Sequence, residues 1–357
     1  MEILVYVLSL LSLWLTINLL VMFLRNRFES SELNVEVKYG VLLLVRRRYR
    51  GVPSTKENTA YVYIMIGAYI IALVLSINVL VLTIYTSLIV NTRSLVVLLP
   101  GLNVTGEDLV YLIFALAIGA FIHEFLHAKI SLKTSIPVKT YGLILALILP
   151  IAFVEIDEEV FVKAKRRVKV AVLSAGVAAN LILALIATTM VQLTVSPTGF
   201  TVVGVEGNSL AEKSGFLVND VVYRINGSDA TLENLRNYLS VNESTILVFE
   251  LYRPGAGFMN ITVLKQPYEN KLGVFLAPAP SRSIIALMDP GFFIQLFKLM
   301  YWFYIVNFSL VFFNTLPLFI TDGGRIVKEI LGEKIGDIVN YVGLLLVILM
   351  IALSARI

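Results

Sequence analysis

His123 and His127 are the only histidines in the chain, and they bracket Glu124 in the run His123-Glu124-Phe125-Leu126-His127. On a helix, residues four apart are offset by about 40° around the axis, so both imidazoles leave one face, one turn apart. That spacing suits two ligands of one tetrahedral zinc ion, with the carboxyl of Glu124 beside them to handle the proton of an attacking water. Two core histidines could fall at this spacing around a glutamate by chance, at odds on the order of one in a few thousand. The run lies inside the apolar stretch Leu109–Ile130, where ionisable side chains are costly and functional by default.

A catalytic zinc takes three protein ligands and leaves a fourth position for water. No third histidine and no cysteine exist, so a carboxylate must complete the set. Asp322 is the best placed, in Asn314-Thr-Leu-Pro317-Leu-Phe-Ile-Thr-Asp322-Gly323-Gly324-Arg325. Pro317 breaks an apolar helix there, and the two glycines permit a tight turn. A plain interfacial Asp-Gly-Gly turn is the competing account. Glu155, Asp157, Glu158 and Glu159 are rival carboxylates, but they form a charge run beside Lys163, Lys165, Arg166 and Arg167, which a solvated face explains.

These residues need a frame at membrane depth, and the composition supplies one. The 357 residues are 58% hydrophobic and 15% charged, with a mean hydropathy of +0.84; soluble domains carry roughly 25% charged residues. The net charge of +4 is spread along the chain and gives no nucleic-acid footprint. Without cysteine there are no disulfides, thiolate ligands or cysteine nucleophile. Six stretches predict spanning helices: Ile3–Leu24, Tyr61–Val90, Leu109–Ile130, Val170–Val195, Phe292–Phe319 and the shorter Ile338–Leu353. Tyr141–Val154 is too short to span and reads as re-entrant or strand-like, and Val35–Val45 as an interfacial strand pair.

Basic residues orient the set. The loop after the first span holds Arg25, Arg27, Lys38, Arg46, Arg47, Arg48, Arg50 and Lys56, the next loop only Arg93, and the third again many. The positive-inside rule then puts both ends of the chain outside. His123, His127 and Asp322 fall at one depth, toward the cytoplasmic leaflet. Residues from about Pro197 to Pro280 differ in character. They are polar and rich in Gly and Asn, with short β-like runs at Phe200–Val205, Asp220–Ile225, Ile246–Tyr252 and Asn260–Leu264, and a helical piece at Leu232–Leu239. That is one small folded domain on the outer side.

Taken together, the sequence resembles the site-2 protease family of intramembrane zinc metalloproteases. The likeness rests on HEFLH in one apolar helix, NTLPLFITDGGR after a later one, and Ser174-Ala-Gly176-Val-Ala-Ala-Asn180 between them, with Pro150–Glu155 similar to an apolar strand passing the active site. Thr321 departs from the leucine common before Asp-Gly. The resemblance implies His123, His127 and Asp322 as ligands of one zinc ion per chain and Glu124 as general base. It implies Asn180 and Asn314 as polar groups near the substrate or the scissile carbonyl; Asn180 could equally bond between helices among its small neighbours. Gly204–Gly227 resembles a PDZ domain of the bacterial membrane-protease type. Leu272, Gly273 and Val274 would form its peptide groove, although a steric cap without a peptide site fits as well.

The expected fold class is an α-helical polytopic membrane protein. It has about six transmembrane helices, short membrane-associated strands and one small extracytoplasmic α+β PDZ-like domain. Its parts are an N-terminal two-span region (1–106), the catalytic core in two pieces (107–195 and 283–357) and the PDZ-like insert (196–282). The expected activity is zinc-assisted hydrolysis of a peptide bond in a transmembrane substrate, at a plasma membrane. Expected partners are such substrates, the lipid bilayer and a peptide or chain-end ligand of the insert. A membrane protease trimming soluble or lipidated protein ends, and a non-catalytic receptor with a structural His pair, are the alternatives.

Overall fold

The computed structural model describes residues 42–49, 57–90, 103–146 and 149–355, strand Leu33–Lys38, and a few isolated positions elsewhere. Of the expected span Ile3–Leu24, all but Ser12, Trp14, Leu15, Thr16 and Leu19 lie outside the described residues. Five described helices are long and apolar enough to cross a membrane.

The chain divides into two compact units, residues 1–186 with 302–357, and residues 187–301. In the first, strands β1 (Leu33–Lys38) and β2 (Leu42–Arg48) pair antiparallel, and helix α1 (Thr59–Tyr85) continues as a π-turn through Val90. Helix α2 (Gly106–Lys133) carries both histidines. The short apolar segment after it forms a hairpin, β3 (Val138–Ala146) and β4 (Leu149–Ile156), with Tyr141 opposite Val154. Together they make a four-stranded sheet in the order β1-β2-β3-β4, so β4 is an edge, and it runs along α2. A helix of 1.5 Å rise per residue could not span a bilayer in so few residues, whereas a hairpin satisfies its own backbone.

After the short α3 (Glu158–Lys163) comes α4 (Arg166–Thr194). Its apolar window is 78% buried against 28% for each of the other four, so α4 is the central helix. Ala171, Ala175, Gly176, Ala178 and Ala179 make that possible, because small side chains let neighbouring helices approach.

The second unit begins with β5 (Val195–Val205), followed by α5 (Leu210–Lys213), β6 (Val221–Ile225), β7 (Ser228–Asp229), α6 (Leu232–Ser240), β8 (Thr245–Arg253), β9 (Gly257–Lys265) and β10 (Val274–Pro280). The sheet order is β10-β5-β6-β8-β9, with β7 on β6. Phe200, Val202, Ile225, Leu247, Phe249 and Val263 fill its core. Asp220, fully buried, takes Arg253 in two hydrogen bonds of 2.7 and 2.6 Å and the Leu217 N–H at 2.9 Å. The bonds to Asp220 hold the Arg253 guanidinium above its usual pKa. Entry and exit of the unit meet: Val195 pairs with Pro280, and Ser281 N–H donates to Thr194 O at 2.7 Å.

A turn of helix, α7 (Arg282–Ile285), leads to α8 (Pro290–Thr315), α9 (Asp322–Leu331) and α10 (Glu333–Ala355). Two expectations change here. The span read as Phe292–Phe319 stops as a helix at Thr315, ahead of Pro317, and Asp322 is not in a turn but is the first residue of α9. Thr321 is the N-cap, its Oγ accepting from Gly324 N–H at 3.2 Å. An acidic residue in the first turn complements the exposed N–H groups of the helix end.

Candidate metal centre

The i, i+4 spacing on α2 sets His123 and His127 one turn apart, with Nε2 atoms 3.1 Å from each other. The start of α9 brings Asp322 to them from far along the chain, with Oδ2 3.2 Å from each Nε2. His127 Nδ1 lies 2.7 Å from the carbonyl oxygen of Val172 on α4. A carbonyl only accepts, so Nδ1 carries the proton, and the neutral imidazole has its Nε2 lone pair free to bind a metal.

This donor set fits zinc. The three atoms converge at 3.1–3.2 Å, and with both Nε2 atoms unprotonated a cation among them would relieve the repulsion of their lone pairs. Bonds near 2.0–2.1 Å in a tetrahedron put ligand atoms about 3.3 Å apart, close to the triangle observed. Gly176 on α4 supplies the clearance. A Cβ there would overlap the Nε2 atoms of both histidines, so no residue with a side chain leaves the cluster intact. Sequence reasoning places Gly176 in the Gly-x-x-x-Asn run but gives it no role at the metal centre.

Glu124 is not one of the three converging residues. Its Oε2 accepts from Val154 N–H at 3.1 Å, on the outward edge of β4. Asn180 lies one turn beyond Gly176 on the same face of α4, fully buried, and neither atom of its amide has a hydrogen-bond partner. Asn314 is half-buried in the last turn of α8.

Of the rival carboxylates, Glu155 and Asp157 have partners within the fold, and Glu158 and Glu159 are exposed. Glu155 accepts from Thr140 Oγ at 2.6 Å. Asp157 caps α3 through Glu159 N–H and Val160 N–H and pairs with Lys139 at 3.5 Å. Lys165 and Arg167, expected to face this run, reach Glu57 instead at 3.2 and 3.0 Å. In the second unit Leu272 is buried in the core, and the carbonyls of Leu272 and Gly273 accept from Ala211 and Glu206 N–H. Gly273 has a positive φ and Val274 opens β10 opposite Val205. A groove of about 470 Å³ lies further along β10, lined by Leu276, Ala277 and Pro278 with Ala230 and Leu232.

Over 241 residues the chain is 29% identical to an uncharacterized protein of Methanocaldococcus jannaschii. The match covers 66% of this chain and 61% of that protein, so it spans about three fifths of the relative's length. The helices that carry both histidines, Gly176, Asn180 and Asp322 fall almost wholly within residues 111–350, the segment that matches the model of peptidase family M50, and the chain therefore belongs to that family, the site-2 proteases.

Proposed function

We propose that the protein is an intramembrane zinc metalloprotease that hydrolyses peptide bonds in transmembrane segments of substrate proteins. The observation that carries this reading is the triangle of His123 Nε2, His127 Nε2 and Asp322 Oδ2 with Glu124 one residue from a ligand. Zinc held there supplies Lewis acidity, which polarises a carbonyl and acidifies water. Glu124 takes the proton of the attacking water and returns it to the leaving amine. Its bond to Val154 N–H fixes the carboxylate at the β4 edge.

A substrate helix hides its own backbone hydrogen bonds and must unwind before attack. On the β4 edge, Ala152 lies two residues from Val154 and so faces the same way, offering N–H and C=O to an added strand just short of Glu124. Asn180 and Asn314 are proposed to meet the substrate or its scissile carbonyl. For Asn180, the unpartnered amide supports this over a purely helix-bridging role. The orientation follows the basic loops: plasma membrane, with the second unit and both chain ends extracytoplasmic and the zinc toward the cytoplasmic leaflet. The second unit is proposed to be PDZ-like and to take a peptide or chain end in the groove beside β10.

The test is Glu124→Gln in detergent-purified protein, with zinc measured by mass spectrometry and cleavage followed on a transmembrane reporter. Full zinc with cleavage reduced to background is expected. Cleavage at the wild-type rate would remove Glu124 from the chemistry, and absence of zinc from wild type would favour the receptor reading.

A further inference from the structure

Tyr69 is on α1, outside the segment that matches the family model, yet it is only 5% exposed. Its hydroxyl donates to the carbonyl oxygen of Thr315 at 3.0 Å, joining residues 246 apart in sequence. Thr315 ends α8, and the last carbonyls of a helix have no partner within it. Pro317, which has no N–H, cannot take up one of them.

Those carbonyls are also the floor on which α9 starts. A Cβ on Gly323 would overlap the carbonyl oxygens of both Thr315 and Leu316, and one on Gly324 would overlap that of Leu318. Thr321 Oγ donates to Leu316 O at 2.8 Å. The carbonyl that Tyr69 holds is therefore in contact with the residue directly after Asp322. The Tyr69 ring packs in the apolar cluster with Val311 of α8 and Ile326 of α9, so only its hydroxyl makes the polar contact.

We infer that Tyr69 is a positioning residue for the metal centre: its hydroxyl fixes the broken end of α8, and through it the start of α9 and the Asp322 carboxylate. The inference rests on the metalloprotease reading. Outer residues that orient a ligand typically change metal affinity by about 10–100-fold, and a single neutral hydrogen bond acting through backbone belongs at the lower end.

The test is Tyr69→Phe in the full chain, with zinc affinity read by chelator competition and the cobalt-substituted protein by visible absorption. About tenfold weaker zinc binding and a shifted cobalt band are expected. Tyr63→Phe, an exposed residue on the same helix, is expected to bind as wild type. Gly323→Ala presses on the same carbonyl from the opposite side and is expected to weaken zinc in the same direction. With Asp322→Ala already present, Tyr69→Phe should add nothing, because its effect passes through that carboxylate. Wild-type affinity and spectrum in Tyr69→Phe, or an equal loss in the Asp322→Ala background, would overturn the inference. Wild-type protein that binds no zinc would overturn the proposed function instead.

Discussion

Asp220 and Asp322 are both carboxylates held away from solvent, and their surroundings differ in kind. Around Asp220 the second unit supplies Arg253 twice and the Leu217 N–H, so that its oxygens are occupied within the fold. The buried Lys265 ammonium is likewise spent on the carbonyls of Val241 and Gln266. Asp322 instead faces the Nε2 atoms of two imidazoles, each 3.2 Å from its Oδ2. Among the described residues, every buried side-chain polar atom without a hydrogen-bond partner belongs to the first unit, including those of His123, Asn180, Asn307 and Asn340. Leaving such groups unmade costs about 1–3 kcal/mol each. The second unit pairs its buried polar side chains internally, whereas the first leaves several unpaired.

The largest effect expected from breaking this contrast is at the histidines. His123→Ala or His127→Ala should abolish tight zinc binding and proteolysis, since two ligands do not hold a catalytic zinc. Stoichiometric zinc in either purified variant would show that the metal sits elsewhere. Next is Arg253→Ala, which leaves Asp220 buried and unpaired. Removal of one partner from a buried pair typically costs about 3–5 kcal/mol, so denaturant unfolding of the second unit should shift by that order while zinc content stays whole. Loss of zinc would mean that the two units are not energetically separate. The smallest of the three sharpens the contrast inside the first unit. Gly176→Ala adds one methyl against both imidazoles and should lower the cleavage rate about 100-fold, the usual effect of a misplacement near 1 Å. Assay of turnover at saturating zinc decides it, and an unchanged rate would mean that α4 yields to the methyl.

The histidine pair was legible because it needs only one helix and local spacing. The hairpin from Val138 to Ile156 was legible in part, from an apolar run too short to span. What stayed hidden depends on contacts between distant segments. Gly176 matters because α4 passes the histidines at backbone distance, which no local pattern records. Tyr69 looks in the sequence like any aromatic in a span, and its partner is a carbonyl. In the sequence Gly323 and Gly324 signal a flexible turn at Asp322; packing against the carbonyls of residues 315–318 uses the same glycines for a tight helix start. Local sequence pairs Asp157 with the neighbouring basic run, whereas the hairpin brings it Lys139.

The pairing of Val195 with Pro280 and the Ser281–Thr194 bond bear on how the chain assembles. An unstructured connection as long as residues 195–280 would add about 3 kcal/mol of loop-closure entropy over one of four residues. Once the strands of the second unit zip together, that entropy has been lost inside the unit, and the membrane helices on either side meet as if joined by a short link. Asp322 can then search for the histidines over a much smaller volume, so folding of the strands of the second unit before the last helices dock would speed completion of the site.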